Sequence, residues 1–259
     1  MEWADEAIVL GLRRHGERSV IVEAMTERHG RHFGLVRGGR DRRLAGTLQP
    51  GNRIAVAWRA RLEEHLGAFA VEPVDLHAAR TIADGRQIYA IGAMTALARL
   101  LPEREPHPGL YEALGVVLGG LDDPLTAAAL MIRLELQILG ELGFGLDLSS
   151  CAATGSRADL AYVSPRSGRA VSRAAAAPYV ERLLPLPGFL GPQPGDAVRR
   201  DAPDIAAIRD GFRLTGHFLA RDVLGPRGLA VGEAREGFIA ATLRALDEGA
   251  AARTEPTGS

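Results

Sequence analysis

The chain has no lysine: all 31 of its basic side chains are arginine. That excludes a phosphate loop built on the Walker lysine, a Schiff-base lysine and a lysine general base. A genome rich in arginine codons would leave the same mark. Cysteine is nearly absent too. A single Cys151 rules out an internal disulfide framework and fits a reducing compartment. No run of uncharged apolar residues is long enough for a bilayer, and Glu2, Asp5 and Glu6 stand where a signal peptide would be basic. Membrane spans and classical secretion are therefore not expected. Also missing are the G-x-S-x-G, H-E-x-x-H, G-x-G-x-x-G and P-loop patterns, so nothing in the chain calls for an enzyme.

What is present is ordinary globular material. The 259 residues are 46% hydrophobic and 24% charged, enough for one large or two small domains with a real core. No internal repeat is seen. The net charge of −1 conceals two opposed halves. Residues 8–61 hold twelve arginines against Glu17, Glu23, Glu27 and Asp41, a balance of +8, which leaves nineteen arginines against twenty-eight acids, −9, elsewhere. A basic segment joined to an acidic remainder suits one domain for a polyanion and another for a different partner. The competing reading is a solvated surface that happens to be arginine-rich.

Residues 7–13, 19–26, 31–37, 52–62 and 66–71 are short, β-branched or alternating, and bounded by glycine, proline or charge; they read as strands. Five strands with glycine-rich turns suit a small barrel such as an OB-fold. In the fourth, Ile54, Val56 and Trp58 share one face and Arg53, Arg59 and Arg61 the other, so Trp58 is expected in the core. Phe33 shares a face with Arg31, Leu35 and Arg37; it would offer a base-stacking surface, but a core position is expected. Residues 37–43 read as a mobile loop carrying Arg37, Arg40, Arg42 and Arg43.

After residue 79 the period becomes helical, over 81–101, 108–121 and 124–142. The third of these has an apolar stripe of Leu125, Ala129, Ile132, Leu136 and Leu139, with Arg133, Gln137 and Glu141 as its polar line. A loop-rich stretch follows over 146–173, then a short helix at 174–183, a proline- and glycine-rich segment at 185–195, and helices at 204–223 and 232–246. The end from residue 249 is expected to fray.

Three chemical candidates carry little. His29 and His32 are three apart with no third ligand nearby, which does not make a metal site. Cys151 has no histidine partner motif and reads as structural. Acidic pairs such as Glu63-Glu64 and Asp122-Asp123 fall at turns. The arginines remain. Their forks pair with phosphate oxygens and stack on bases, so an arginine-lined barrel suits nucleic acid.

The order of parts resembles the bacterial RecO family of recombination-repair proteins over residues 2–246. The resemblance lies in Gly16-Glu17-Arg18-Ser19, Thr26-Glu27-Arg28-His29-Gly30, Leu35-Val36-Arg37-Gly38-Gly39-Arg40 and Leu48-Gln49-Pro50-Gly51. In the second half it lies in Arg133-Leu134-Glu135-Leu136, Leu139-Gly140-Glu141-Leu142-Gly143-Phe144 and Ser164-Pro165-Arg166-Ser167-Gly168. It implies an α+β multidomain protein. An N-terminal OB-fold barrel (1–79) would precede a mainly α-helical domain (80–248) and a flexible tail (249–259). Some members carry a four-cysteine zinc insert. Here, within 146–173 and just beyond, the four positions hold Cys151, Thr154, Ser172 and Ala175, so a degenerate insert without zinc is expected.

The resemblance further implies a cytoplasmic, nucleoid-associated, non-enzymatic mediator without cofactor. It would bind single- and double-stranded DNA, anneal complementary strands, bind the acidic C-terminal tail of single-strand-binding protein (SSB), and with RecR promote loading of RecA. The expected DNA contacts are Arg31, Arg37, Arg40, Arg42, Arg43, Arg53, Arg59 and Arg61. Arg133 is the candidate for the SSB tail, set against an internal pairing with Glu141 or another acid. The alternatives are a scaffold whose basic barrel binds an acidic partner protein, an RNA-binding OB protein and, more remotely, a hydrolase.

Overall fold

In a computed structural model of the chain, residues 1–191, 203–230 and 232–254 are described. They fall into two compact units, one ending at Leu121 and the other beginning at Asp122.

Five strands open the first unit: β1 (Glu2–His15), β2 (Ser19–Thr26), β3 (Gly30–Val36), β4 (Arg53–Arg59) and β5 (Ala68–Asp75). Their order, β1-β2-β3-β5-β4, closes into a barrel because β4 returns to pair with β1 and β5 meets β3 in parallel. This is the Greek-key arrangement of an OB-fold. Val9, Val20, Val22, Ala24, Val36, Ile54, Val56, Trp58 and Phe69 form a buried cluster with Ala7 and Leu48. Trp58 is in the core, 1% exposed.

β1 departs from simple alternation. Its residues 7–10 are all buried, because the face turned away from the barrel lies under helices α3 (Gly85–Ala98) and α4 (Pro108–Gly119) of the same unit. A register shift between Val9 and Gly11 marks that change. A Cβ at Gly11 would stand 2.4 Å from Arg99 Nη2, the movable end of a flexible side chain.

Phe33 corrects an expectation. It is half-buried on the outer face of β3, while His32, Gly34 and Val36 point inward. The parity is fixed at Gly34, where a Cβ would lie 2.3 Å from the Phe69 ring. An aromatic already fills that part of the barrel, so only a glycine fits opposite it. The 37–43 loop is also shorter than expected, since Arg42 and Arg43 begin a helix, α1 (Arg42–Thr47). The expected helix over 81–101 is shorter, α3 alone, with a separate α2 (His77–Thr81) just before it; the α3 N-terminus is capped by Asp84 accepting from Arg86 N at 2.9 Å.

The second unit is built on α5 (Pro124–Glu141), capped by Asp123 accepting from Thr126 N at 2.7 Å. A small antiparallel sheet follows, β6 (Leu160–Val163), β7 (Ala170–Ser172) and β8 (Leu184–Pro185), with α6 (Arg173–Ala176) and a 3-10 turn between β7 and β8. The stretch read as loop is therefore partly sheet. Helices α7 (Ile205–Phe218) and α8 (Glu233–Thr254) pack on α5, and α7 runs into a single π-helical segment at residues 219–224. α8 continues through Gly249, where fraying was expected. Residues 192–195 of the proline-rich segment and 255–259 of the tail lie outside the described residues.

The polar line on α5 was read incompletely. Glu135, fully buried, receives Arg235 of α8 through Nε at 2.6 Å and Nη2 at 3.0 Å, together with a hydrogen bond from the Thr215 hydroxyl of α7. Arg235 also donates to Phe212 O at 3.0 Å and lies over the Phe212 ring. Three helices thus meet on one ion pair inside the core. No helix among the described residues is long and apolar enough to cross a membrane.

Candidate nucleic-acid interface

The β1–β2 hairpin turns at residues 15–19 and exposes Arg13, Arg14 and Arg18. The β3–α1 connection lies against that turn. Arg40 N donates to Arg18 O at 3.1 Å, and Arg40 Nη1 to Glu17 O at 2.5 Å. The approach is close because residue 39 is glycine, where a Cβ would sit 2.4 Å from Val20 Cγ2. Arg37 and Arg40 in the connection, with Arg42 and Arg43 in the first turn of α1, are likewise exposed. Seven arginines therefore gather around the hairpin turn, and Glu17 and Asp41 are the acids in the same two segments. Arg37, Arg42 and Arg43 form no ion pair with other described residues.

The other expected DNA contacts are placed differently. Arg31 has its side chain 16% exposed and is bound to Glu23 at 2.6 Å and to Leu101 O at 2.9 Å. Glu23 also receives Arg99 Nε at 2.8 Å, so one carboxylate is shared by two guanidinium groups. Arg53 pairs with Glu6 at 2.7 Å. Burial by itself would lower the Arg53 pKa, but hydrogen bonds and charge interactions with Tyr111 and Glu6 raise it, so its charge is already compensated. Arg59 pairs with Glu2 at 2.7 Å in full solvent, and Arg61 is exposed beyond the end of β4. The alternation that placed Arg53 and Arg59 outside the barrel carried no information about the acids opposite them on β1.

Sequence reasoning missed Arg13, Arg14 and Arg18 as members of the basic cluster. A signal existed, since Arg13-Arg14 and Arg18 flank Gly16 at a hairpin turn. It also set aside Phe33, whose ring lies 5.4 Å from both the Arg13 and the Arg31 guanidinium groups. Held between two cations on the outer face of β3, this ring is an aromatic surface bordered by positive charge.

In the second unit Arg133 donates to Phe189 O at 3.3 Å and lies 5.7 Å from the Phe189 ring. It is half-buried. A basic group thus stands beside an aromatic side chain.

The four positions tied by resemblance to a zinc insert come together in space. Cys151 is buried in a small cluster with Val171 and Ala176, and Ala175 packs against it. Cys151 Sγ accepts from Ser172 N at 3.3 Å. Hydrogen bonds from Ser172, from the Ser172 backbone and from Thr154 lower the thiol pKa to about 6. One sulfur, two hydroxyls and a methyl do not fit a tetrahedral structural zinc, which needs four thiolate or imidazole donors. Hydrogen bonds and apolar contact join these positions instead.

Two family models match the chain: "Recombination protein O N terminal" over residues 1–77 and "Recombination protein O C terminal" over 82–229. A protein from Chelativorans sp. (strain BNC1) named DNA repair protein RecO is 58% identical over 252 residues, covering 97% of this chain and 100% of the relative. Proteins of the same name from Sinorhizobium medicae and Mesorhizobium japonicum are each 56% identical, over 95% and 93% of this chain and 96% and 93% of their own lengths. With an OB-type barrel, an arginine-rich hairpin end and both halves matched, the chain belongs to the RecO family of DNA repair proteins.

Proposed function

We propose that this protein is a non-enzymatic mediator that binds single- and double-stranded DNA at the hairpin end of its barrel and anneals complementary strands. The observation that carries the reading is the gathering of Arg13, Arg14, Arg18, Arg37, Arg40, Arg42 and Arg43 around one turn, all exposed, with two acids among them. Guanidinium groups so placed neutralise phosphates and release counterions, which lowers the repulsion between two approaching strands. They read no base edge, so this end of the barrel selects charge and not sequence.

Arg31, Arg53 and Arg59 are left out of the proposed phosphate contacts because Glu23, Glu6 and Glu2 already hold them. Arg61 is kept as a peripheral contact. Arg133 beside Phe189 is the proposed seat of the SSB tail, since an acidic segment ending in an apolar residue calls for a cation next to an apolar surface. RecR as partner, and RecA loading as outcome, are part of the same proposal, which family membership supports. The absence of zinc belongs to the same proposal.

The test is annealing of complementary oligonucleotides coated with the cognate SSB, comparing the parent with Arg37/Arg42/Arg43→Ala and recording the salt dependence of binding alongside. Loss of annealing, together with a shallower salt slope at unchanged stability, is the expected result. A parent that neither anneals nor binds DNA at low salt would overturn the reading in favour of a scaffold for an acidic protein partner.

A further inference from the structure

A recess lies in the first unit, lined in part by Glu2, the partner of Arg59. It is a cleft of ≈ 590 Å³ whose lining includes Trp3, Arg28, His29, Trp58, Glu63 and Arg104. Its wall is a ladder of rings. His29 stacks on Trp3 at 4.0 Å with the planes 6° apart, and Trp3 lies 5.5 Å from Trp58 at 18°. Trp3 covers one face of the His29 ring, and the side chain keeps 33% of its surface exposed. The ladder is fixed from below, because Asp5, with its side chain 1% exposed, accepts from His29 Nδ1 at 2.9 Å and from Arg28 Nε at 3.1 Å.

Two glycines allow the surrounding segments to close in. Gly30, at φ +66°, would place a Cβ 1.9 Å from Glu105 O, and Gly67, also at φ +66°, would place one 2.3 Å from Trp58 Nε1. Between those segments stands Arg104, a non-glycine residue at φ +65°. It is held there by its own N–H to Arg31 O at 2.8 Å, by its guanidinium to Glu63 O and His65 O at 2.6 and 3.1 Å, and by an ion pair with Glu103 at 3.3 Å. A left-handed conformation at a non-glycine position costs free energy and persists only where the surroundings impose it. Here they hold a cation at the rim of an aromatic cleft.

We infer that this cleft takes one unpaired nucleobase of a bound strand, stacked on His29 at the end of the Trp58–Trp3–His29 ladder, with Glu63 accepting from an exocyclic amino group. The inference rests on the DNA-binding reading and adds a base-contacting subsite to it. Stacked rings fit a flat heterocycle, and the phosphates on either side of it are left to the exposed arginines of the hairpin end. The exposed Glu63 carboxylate favours a base with an amino donor and opposes an acidic peptide. Cytosine has such a donor and thymine does not, so the site gives the protein a base preference that phosphate contacts cannot.

The experiment measures anisotropy of labelled dC12, dT12 and a fully abasic twelve-mer at one fixed salt, with the parent, His29→Ala, His29→Phe and Glu63→Ala. The parent is expected to bind dC12 about fivefold more tightly than dT12, and both more tightly than the abasic strand. Glu63→Ala, on an exposed loop, should equalise dC12 and dT12. His29→Ala should bring dC12 down toward the abasic strand, and His29→Phe should restore stacking. Equal affinity for all three strands, unchanged in every variant, would overturn the inference while leaving DNA binding intact. Binding of none of them would overturn the DNA reading itself. An acidic peptide with a C-terminal phenylalanine that binds the parent, fails to bind His29→Ala and leaves oligonucleotide affinities unchanged would assign the cleft to a protein tail and also overturn it.

Discussion

Arginine does opposite work in two regions of this molecule. Around the β1–β2 hairpin seven guanidinium groups crowd into solvent with two acids among them, and most of their mutual repulsion is relieved by water and salt. Inside the second unit a single arginine, Arg235, meets a fully buried Glu135 through two hydrogen bonds and ties α8 to α5, with Thr215 adding α7. The hairpin cluster has unspent capacity for an external anion; the buried pair has none. Residue type therefore says little about role, and the acid opposite each arginine says most of it.

The sharpest way to break this contrast is to remove the buried acid. Glu135→Ala leaves Arg235 in the core without its counter-charge and is expected to destabilise the second unit by about 3–5 kcal/mol. Urea denaturation would show it as a lowered midpoint. Replacing Glu135 and Arg235 together by leucine and methionine should cost much less, because no isolated charge remains.

At the hairpin the expected loss is in binding and not in stability. Arg37/Arg42/Arg43→Ala should weaken single-stranded DNA binding about tenfold or more at low salt. The slope of log affinity against log salt should become shallower by about 2, three contacts at roughly 0.7 each. The denaturation midpoint should stay where it is. A loss of affinity without a change in slope would mean that these arginines do not meet phosphates.

A smaller effect separates the barrel interior from its surface by pH. Burial holds the His32 imidazole below its ordinary value of 6.5, and burial does the same at His77. As pH falls below about 6.5 the unfolded chain takes up these protons first, so the folded state loses stability as pH drops toward the lowered native values. Above 6.5 both groups are neutral in both states, and no change is expected. His32→Gln, which keeps a donor for Phe33 O, should remove part of the decline between pH 6.5 and 5. Asp5 acts in a separate, more acid window. Burial pushes its carboxyl up, but hydrogen bonds from Arg28 and His29 outweigh this and hold it below 3.8, so its contribution is present above that value and disappears on further acidification.

The smallest expected change is at Arg59. Its partner Glu2 is exposed too, and Arg59→Ala should move neither the denaturation midpoint nor the salt slope measurably. A clear loss of DNA affinity in this variant would show that an exposed pair still yields its arginine to phosphate, and would blur the difference between paired and unpaired arginines.

Much of the barrel was legible because period-two patterns report which face is buried: Ile54, Val56 and Trp58 turned inward as their alternation required. The basic character of residues 8–61 and the family motifs were legible for the same reason, being local in sequence. Phe33 was not, because its side of β3 is set by Gly34 facing Phe69, a residue thirty-five positions later. Nor was Glu135, which sits on an apolar helix and becomes intelligible only when Arg235, one hundred residues away, arrives from α8.

The sequence by itself determined the strand and helix periods, the charge asymmetry, the single thiol and the membership of the family. Tertiary structure decided which arginines are spent on Glu23, Glu6, Glu2 and Glu135 and which remain for a polyanion, and it brought Trp3, His29 and Trp58 into one stack. The physical reason is range. Hydrophobic period is a property of neighbours along the chain, whereas charge compensation and ring stacking depend on partners that only folding brings within a few ångströms.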